Sequence, residues 1–443
     1  MTFTQNLIRA RGHIVFLVAL VAGLFLVQWL DTRVGDHDDQ SGTGSQSQME
    51  KFDAIKPLAL TVPRPSTDAD LQNARTAWTY FKNNTNSTTG LANSANDYPS
   101  TTMWETGSYL IAILSAERLG LIQLPESDMR IKAVLASLAK LRLFDGKLPN
   151  KAYHTETLEL VDYTNKPSKD GLGWSALDVA RIMSAFGLIE RNRPEFAPAV
   201  EAILETWQVD QMIENGQLIG TNVADGKIRR DQEGRLGYEQ YAAKAMMMFG
   251  YDASEAFDVE GKLMVQYVEG IPIAVDSRQQ HGGEPGFVVS EPYLFDGLEF
   301  GFDARSLIFA TTVYEAQAAR FANTGKLTAV TEGHLNEKPY FSYATIWGGG
   351  SPWSVLSFKG DRMDSRRTLS TKAAFAWDAL FGTDYTAKLV AAVAKNADPE
   401  KGWSEGIYEL DGKLNTSVTA NTNAVILAAL SFKATGPLMR PVK

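Results

Sequence analysis

Four short segments set aromatic rings beside carboxylates or amides: Met103-Trp104-Glu105-Thr106-Gly107-Ser108-Tyr109, Gly237-Tyr238-Glu239-Gln240-Tyr241, Ser290-Glu291-Pro292-Tyr293 and Gly402-Trp403-Ser404-Glu405-Gly406-Ile407-Tyr408. Flat rings beside acids suit a groove that holds sugar rings by stacking, orients hydroxyls by hydrogen bonds and moves protons with carboxyl groups. Hydrolysis of a glycosidic bond needs one carboxylic acid to protonate the leaving oxygen and a second carboxylate acting on water or on the sugar. Glu239 stands between Tyr238 and Tyr241 at the start of an Ala- and Met-rich helix, a setting that raises a carboxyl pKa and suits the acid. The same position also suits a first-turn Glu that complements the helix dipole. Glu291 is the second catalytic candidate: Pro292 biases it to extended backbone off any helix, and Tyr293 stands beside it. Asp97 and Glu105 share the first aromatic loop, where one would orient water or a hydroxyl, although turn or cap chemistry accounts for Asp97 without catalysis.

The other rings and amides read as binding groups. Trp104, Trp174, Tyr238, Tyr241, Tyr293, Trp403 and Tyr408 are the stacking candidates, with Glu405, Asn421 and Asn423 as hydrogen-bonding groups. Asn421 and Asn423 alternate with threonines ahead of the apolar run Ala424 to Leu430, so one of them suits a helix cap and the other a sugar contact. Trp377 falls mid-helix and belongs to a core. Lys372 starts that helix, where it either pairs with a site carboxylate or is an exposed solubilising lysine, and the second reading is the simpler.

Helical periodicity recurs along the chain and must position these groups. Helices are predicted over Asp68 to Asn83, Trp104 to Leu119, Asp128 to Leu141, Ser175 to Ile189, Ala197 to Trp207, Glu239 to Phe249, Asp303 to Asn323, Thr371 to Phe381, Tyr385 to Lys395 and Thr419 to Phe432. From Ser108 to Leu121 apolar residues run broadly around the cylinder while Ala112 and Ala116 keep it slim, as in a helix packed on two sides. Strand is confined to hairpins near Gln217 to Ile228, Met264 to Val275, Tyr340 to Phe358 and Ile407 to Leu414. Strands do not alternate with helices, which disfavours a parallel sheet. Trp104 and Trp174 each mark a helix start after a polar loop carrying an acid, Asp97 and Asp170, at a spacing too irregular for a short solenoid repeat. The expectation is a mainly α fold, an (α/α)6-type toroid or barrel of helical hairpins with short β-hairpin insertions, preceded by one N-terminal transmembrane helix. Its inner helices would bring the loops round one funnel.

Composition bounds the alternatives. The 443 residues are 44 % hydrophobic and carry a net charge of −9, from 52 acidic and 43 basic residues without a long basic run, so a nucleic-acid partner lacks its footprint. The absence of cysteine removes disulfides, thiolate nucleophiles and Cys-ligated metals. There is no His-Glu-x-x-His helix and no Gly-x-Ser-x-Gly elbow, and Gly220 to Lys227 is a near miss for a phosphate loop. Neither a metal nor another cofactor is expected, and His281-Gly282-Gly283-Glu284 reads as a surface turn.

Arg9 and Arg11 precede an apolar stretch from Ile14 to Leu30 of roughly 25 Å as a helix, just enough to span a bilayer, with the positive flank on the cytoplasmic side. Residues 1–13 therefore read as a cytoplasmic N-terminus, 14–30 as a transmembrane anchor or signal, 31–51 as a Gly/Ser/Gln/Asp-rich disordered tether and 52–443 as the toroid domain. This places the folded domain in a bacterial periplasm, tied to the inner membrane by a single pass, or free there if the segment is cleaved.

Ala74 to Phe81 with Thr89-Gly90-Leu91 and Tyr98-Pro99, the Trp104 to Tyr109 segment, Gly237 to Ala243, Ser290 to Tyr293, and Gly402-Trp403 through Thr419-Ala420-Asn421-Thr422-Asn423 resemble the bacterial DUF3131 family over about residues 70 to 432. The Thr-Ala-Asn-Thr-Asn block is the most specific. The family is similar to α/α-toroid glucoamylase-like glycan enzymes, so the resemblance implies that fold and a glycan site. One departure is Glu105, where the family pattern has Asp after the first Trp. The function expected is an exported glycoside hydrolase that cleaves or trims a bacterial polysaccharide by carboxylate acid/base catalysis. Its partner would be an oligo- or polysaccharide. The alternatives are a non-catalytic glycan-binding or assembly factor in a polysaccharide synthesis or secretion complex, and a polysaccharide lyase using Arg229, Arg230 and Arg235 near Tyr238.

Overall fold

The computed structural model describes residues 48–278 and 286–440. The N-terminus 1–13, the apolar segment 14–30, most of the tether and the His281-Gly282-Gly283-Glu284 turn lie outside the described residues. Among the described residues no helix is long and apolar enough to cross a membrane. The tether ends earlier than composition indicates: residues 48–53 are helical, and the Phe52 ring meets Phe309 edge-on at 5.0 Å.

Twelve helices follow among the described residues: α1 (Asp68–Asn84), α2 (Met103–Arg118), α3 (Leu124–Leu138), α4 (Ala176–Asn192), α5 (Ala197–Thr206), α6 (Tyr238–Met247), α7 (Ser254–Phe257), α8 (Glu291–Phe295), α9 (Ala304–Thr324), α10 (Thr371–Phe381), α11 (Asp384–Val393) and α12 (Ala420–Thr435). The even-numbered helices touch in chain order and α12 returns to α2, closing an inner ring, while each odd-numbered helix packs outside it. Burial follows this division. Every residue from Ala420 to Phe432 of α12 is buried, whereas α3 and α5 bury one face. A helix apolar all round has no stable place except the interior.

Side-chain caps set the start of α2, α4, α10 and α12, whereas α6 and α8 start after Gly237 and Ser290 without one. The Thr102 hydroxyl accepts from the Trp104 and Glu105 N–H groups, Ser175 from Asp178, Ser370 from Ala373 and Thr419 from Thr422. Thr419, not an asparagine, therefore caps α12, and Asn421 and Asn423 lie within its first turn. Two helices fall outside the periodic pattern. α7 is one turn long, and α8 begins at Glu291 despite Pro292. The proline occupies the second helical position, where its missing N–H is no loss because first-turn N–H groups have no helical partner. A π-helical turn, Asp296–Phe300, continues α8.

The strands are antiparallel insertions between helices. β1 (Gln217–Ala224) and β2 (Lys227–Gln232) form one hairpin, and β3 (Leu263–Val268) and β4 (Ile271–Asp276) another. β5 (Glu332–His334) pairs with β6 (Phe341–Ala344), which also pairs with β7 (Val355–Leu356), so the ribbon expected from Tyr340 onward starts upstream of it. β8 (Thr368–Ser370), β9 (Gly402–Tyr408) and β10 (Leu414–Val418) make a small sheet beside α10 and α12.

The ring closes tightly where α2 crosses α4. A Cβ built on Gly107 would stand 3.0 Å from both the Arg181 carbonyl oxygen and the Ile182 Cα, backbone atoms that cannot swing aside. Gly107→Ala is expected to lower stability by about 1–3 kcal/mol through overpacking, read as a lower urea midpoint at unchanged slope. An unchanged midpoint would show that the two helices separate freely.

Candidate active site

The N-terminal ends of the inner helices supply most of one cluster of charged side chains. Glu105 stands in the first turn of α2, Asp178 in that of α4, Glu291 opens α8, Lys372 is second in α10 and Asn421 second in α12. Glu332 and His334 enter from β5, and Glu405 from β9. Helix N-termini present unpaired N–H groups and partial positive charge, so a ring of them is a place where buried carboxylates are tolerated.

Glu291 is the fixed point. It has no solvent exposure and is ion-paired to Lys372, itself only 2 % exposed, while Asn421 Nδ2 donates to its other oxygen at 2.5 Å. Lys372 is thus a site cation and not a solubilising surface lysine. Burial pulls its pKa down, but Glu291, Glu405 and Glu332 together hold it above the ordinary lysine value. Behind this pair runs a polar floor. Ser108 Oγ donates to Asn421 Oδ1 at 3.3 Å, and the buried Arg181 donates to Ser108 at 3.3 Å and to Glu299 and Tyr241 at 2.5 Å. The Tyr241 hydroxyl donates to Glu299 at 2.7 Å, and the Arg181 guanidinium lies 4.0 Å over the Phe295 ring. With so many partners fixed, Asn421 and Glu291 have little freedom to turn.

Glu332 differs from Glu291 in joining no salt bridge among the described residues and in being only partly buried. Burial and the neighbouring Glu291 push its carboxyl up to about 8, against Lys372 and Tyr238, so it carries a proton at neutral pH. The Tyr238 hydroxyl is buried facing it, within reach of its field and that of Glu291. Asp178 is also raised, by burial and by Glu233 and Glu105, and Glu405 by burial, which outweighs Lys372 and the 2.5 Å hydrogen bond from Thr419. Burial lowers His334 and keeps its imidazole neutral. Glu405 lies behind β5, where a Cβ on Gly333 would come 2.7 Å from its Oε2. Chemically, the arrangement offers a protonated carboxyl beside carboxylates and one lysine. Among the described residues no His, Asp and Glu side chains group so as to hold a metal ion.

The residues singled out in the sequence separate into several places. Glu291, Glu105, Glu405, Asn421 and Tyr238 come together in this cluster. Glu239 does not: it opens α6 fully buried, with Arg278 donating to it at 3.1 and 2.6 Å and Gln232 at 3.0 Å. Burial raises its pKa against the pull of Arg278, which Asp276 shares, so its charge belongs to a separate ion network. Trp174 and Trp403 are 1 % and 2 % exposed, with Nε1 donating to the Ile219 and Asn73 carbonyls. Tyr241 serves the polar floor and Tyr293 is packed in the core. None of these four rings has a face open to a sugar, because core packing has used both sides. Trp104 alone among the tryptophans read as stacking candidates stays half-buried, 5.7 Å from Tyr238 and 5.6 Å from Phe295.

Asn423 is structural, accepting from the Trp403 N–H at 2.8 Å and donating to its carbonyl at 3.2 Å. Tyr408 donates to Asn336 at 2.6 Å. Asp97 is exposed in a left-handed turn at φ 58°, held by the Asn96 amide at 2.5 Å. Trp377 is core, stacked on Phe381. Sequence reasoning missed Glu332, His334, Asp178 and the Arg181–Glu299 pair. Of these only Asp178 carried a signal: Trp174-Ser175 precedes it as Trp104 precedes Glu105, each ahead of a first-turn acid. An outer-wall groove of about 480 Å³, lined by Gln72, Arg75, Trp78, Lys82 and Glu126 among others, holds none of the cluster.

Solved structures with the same architecture place this arrangement in context. An endo-β-1,2-glucanase from Chitinophaga pinensis, solved with sophorotriose and glucose, superposes with a TM-score of 0.59 at 11 % identity, covering 85 % of this chain and 94 % of that one. A protein of Bacteroides uniformis ATCC 8492 whose assignment as a glucoamylase is provisional gives 0.60 at 13 %, covering 85 % and 94 %. An endo-β-1,2-glucanase variant from Talaromyces funiculosus with bound β-1,2-glucan gives 0.52 at 11 %, covering 88 % and 86 %. At such identities the likeness establishes the glucoamylase-like toroid and no more. No curated protein matches the chain in sequence. The family does match, over residues 72–436, and the chain belongs to DUF3131, described as a family of proteins of unknown function.

Proposed function

We propose that the protein is an exported glycoside hydrolase, anchored in a bacterial inner membrane by residues 14–30, whose periplasmic toroid cleaves or trims a polysaccharide. One observation carries the reading: Glu332, partly open to solvent on β5, stands beside the buried Glu291–Lys372 pair, where burial and Glu291 push its carboxyl up to about 8. Glu332 would protonate the leaving glycosidic oxygen. Glu105, which accepts from Thr102 and joins no salt bridge among the described residues, would act on the attacking water. Glu291, Lys372 and Asn421 would fix the local field, and Trp104 would offer a ring to the sugar. The glucan complexes of the structural neighbours make β-linked glucans the first substrates to try.

Lyase chemistry is less well supported. It needs cationic groups beside a uronate, and Arg230 instead donates to the Gln211 carbonyl, Arg235 to Gln232 and the Gly234 carbonyl, and Lys372 is taken by Glu291. An assembly factor would bind glycan without turnover. Incubating the purified protein with a panel of β-glucans, amino-sugar polymers and uronates separates these readings. New reducing ends that vanish in Glu332→Gln would support the hydrolase. An unsaturated product absorbing in the ultraviolet would mean a lyase, and binding without products an assembly role.

A further inference from the structure

The hairpin of β1 and β2 stands at the rim of the charged cluster, and its two faces differ. Its register pairs Gly220 with Asp231, Asn222 with Arg229 and Ala224 with Lys227. Directly paired residues share a face, as do residues two apart on one strand, so these six project from one side. Thr221 and Arg230 project from the other, which is spent on the wall. Thr221 Oγ1 accepts from the Trp174 N–H at 2.8 Å, and the Arg230 guanidinium lies 5.7 Å over the Trp174 ring while donating to the Gln211 carbonyl.

The first face begins at the site. A Cβ built on Gly220 would strike the Glu233 carboxylate, which accepts from the Ser175 hydroxyl at 2.6 Å and from the Ala176 N–H at 2.5 Å where α4 starts. Further out, Lys151 Nζ donates to Asn222 Oδ1 at 2.5 Å. Asp178, one of the acids of the cluster, feels both Glu233 and Lys151, so this face and the cluster are contiguous.

Charge changes sign along the face. Asp231 and Glu233 keep its inner end acidic, whereas Lys151, Arg229 and Lys227 make the outer part basic as far as Asp225 in the turn. From Gly220 to Ala224 the strand covers roughly 13 Å. Arg229 and Lys227 are exposed. Among the described residues none of Lys151, Arg229 and Lys227 joins a salt bridge, and the ion pair of the hairpin is the long one of Arg230 with Glu214, at 3.8 Å. Three cations without carboxylate partners, gathered on one face of a chain of net charge −9, make a local field that favours an anion.

We infer that this hairpin face extends the proposed active site outward and binds the carboxylates of an acidic polysaccharide, whose uronate units lie beyond the sugars at the cleavage point. The position of the cleaved bond rests on the hydrolase reading, whereas the strip itself is a binding site. A carboxylated sugar placed among Glu105, Asp178, Glu291 and Glu332 would be repelled, so a neutral unit belongs there. The units that follow it along the hairpin meet Lys151, Arg229 and Lys227. A lyase needs the reverse order, with its cations beside the uronate that reacts.

The test compares hexasaccharides of β-linked glucose with the same hexasaccharides carrying glucuronate in place of the units at one end or the other. Each is bound to the full chain carrying Glu332→Gln, so that turnover does not consume it. At about 0.1 M salt one of the glucuronate forms is expected to bind about fivefold tighter than the neutral one, and the advantage should disappear at about 1 M, where exposed charges are screened. Lys227→Gln combined with Arg229→Gln is expected to lose most of the advantage, with the melting temperature and the affinity for the neutral hexasaccharide unchanged. Arg230→Gln removes the same charge from the opposite face and is expected to keep most of it. Equal affinity for neutral and glucuronate forms, or an advantage that the double variant keeps, would overturn the strip while cleavage of neutral glucan by the unsubstituted protein still supported the hydrolase. An advantage that follows Arg229 and Lys227, with no turnover by the unsubstituted protein, would keep the strip and remove the hydrolase. Binding of phosphatidylglycerol vesicles through Arg229 and Lys227 without any glucuronate advantage would assign the strip to a membrane surface and overturn the inference. Absence of binding by every glucuronate form would overturn it too, because exposed cations read carboxylates and not linkages, and the hydrolase reading would then stand or fall on the polysaccharide panel alone.

Discussion

Glu332→Gln is expected to lower kcat by about 10²–10⁴-fold while leaving KM within a few-fold, because the amide keeps the shape of the side chain and loses only the transferable proton. The loss should depend on the leaving group. A glycoside of an acidic phenol departs without protonation, so the variant should retain most of its rate on that substrate. The pH profile gives a second reading. A general acid works only while protonated, so kcat/KM of the unsubstituted protein should fall as pH rises through about 8, and that alkaline limb should be absent from the variant. Stability carries the same sign. Glu332 is raised above its unfolded value, so across the interval from the ordinary glutamate range to about 8 the folded state keeps a proton that the unfolded chain has released, and stability declines as pH rises through that interval. Glu405, Asp178 and Glu239 are raised as well and add to the slope. An equal loss on activated and unactivated substrates, with the alkaline limb intact, would remove Glu332 from the proton-donor role.

The helices were readable because their signals are local. Thr67 with Asp70, Ser175 and Thr383 are cap residues ahead of periodic apolar runs, and the chain starts helices after each of them. α7 has only four residues, too few for any period to register. α8 was hidden by the ordinary effect of proline on the residue before it, which the first-turn position of Pro292 overrides. The ribbon of β5 and β6 was half legible. Its second strand lies in the Tyr340 to Phe358 stretch, but Glu332 to His334 is too short to show alternation, and Gly333 interrupts it.

The site was legible to the extent that it sits at helix starts. Glu105, Glu291 and Asn421 are first-turn groups, and the closed ring makes them neighbours. Glu239 shows the limit of that rule. It opens an inner helix as they do, yet Arg278 and Asp276 at the end of β4 bind it into another network, and nothing near Glu239 in sequence announces a partner 39 residues away. The aromatic signal misled for a related reason. Trp174 and Trp403 look like platforms beside polar loops, but a toroid of slim Ala-rich helices needs large rings to fill its wall, and both are consumed there. Trp104 keeps a half-buried ring because it stands at the start of α2 beside the charged cluster and not in the wall.

Lys372→Met is expected to destabilise the fold by about 3–5 kcal/mol, because it strands the Glu291 carboxylate in a setting with no solvent exposure. The methionine matches the apolar stem of the lysine, so packing is largely kept and the loss reports the missing charge. Asn421 still donates one hydrogen bond to Glu291, which is too little to offset an unpaired buried charge. Two measurements separate this cause from a packing defect. Adding Glu291→Gln should recover much of the lost stability, since a neutral amide beside methionine leaves no charge to desolvate and can still meet Asn421. Lowering the pH should also recover stability in the single variant: without its cation Glu291 binds a proton more tightly folded than unfolded, so stability rises as pH falls. If Lys372→Met and the double variant lose the same stability, independent of pH, the ion pair is not what holds this end of the ring together. In the expected case the result has a catalytic corollary. The charge of Glu291 is part of what keeps Glu332 protonated, and Lys372 is what makes that charge tolerable at the centre of six helix ends, so one buried pair links the folding of the ring to the acidity of its proposed donor.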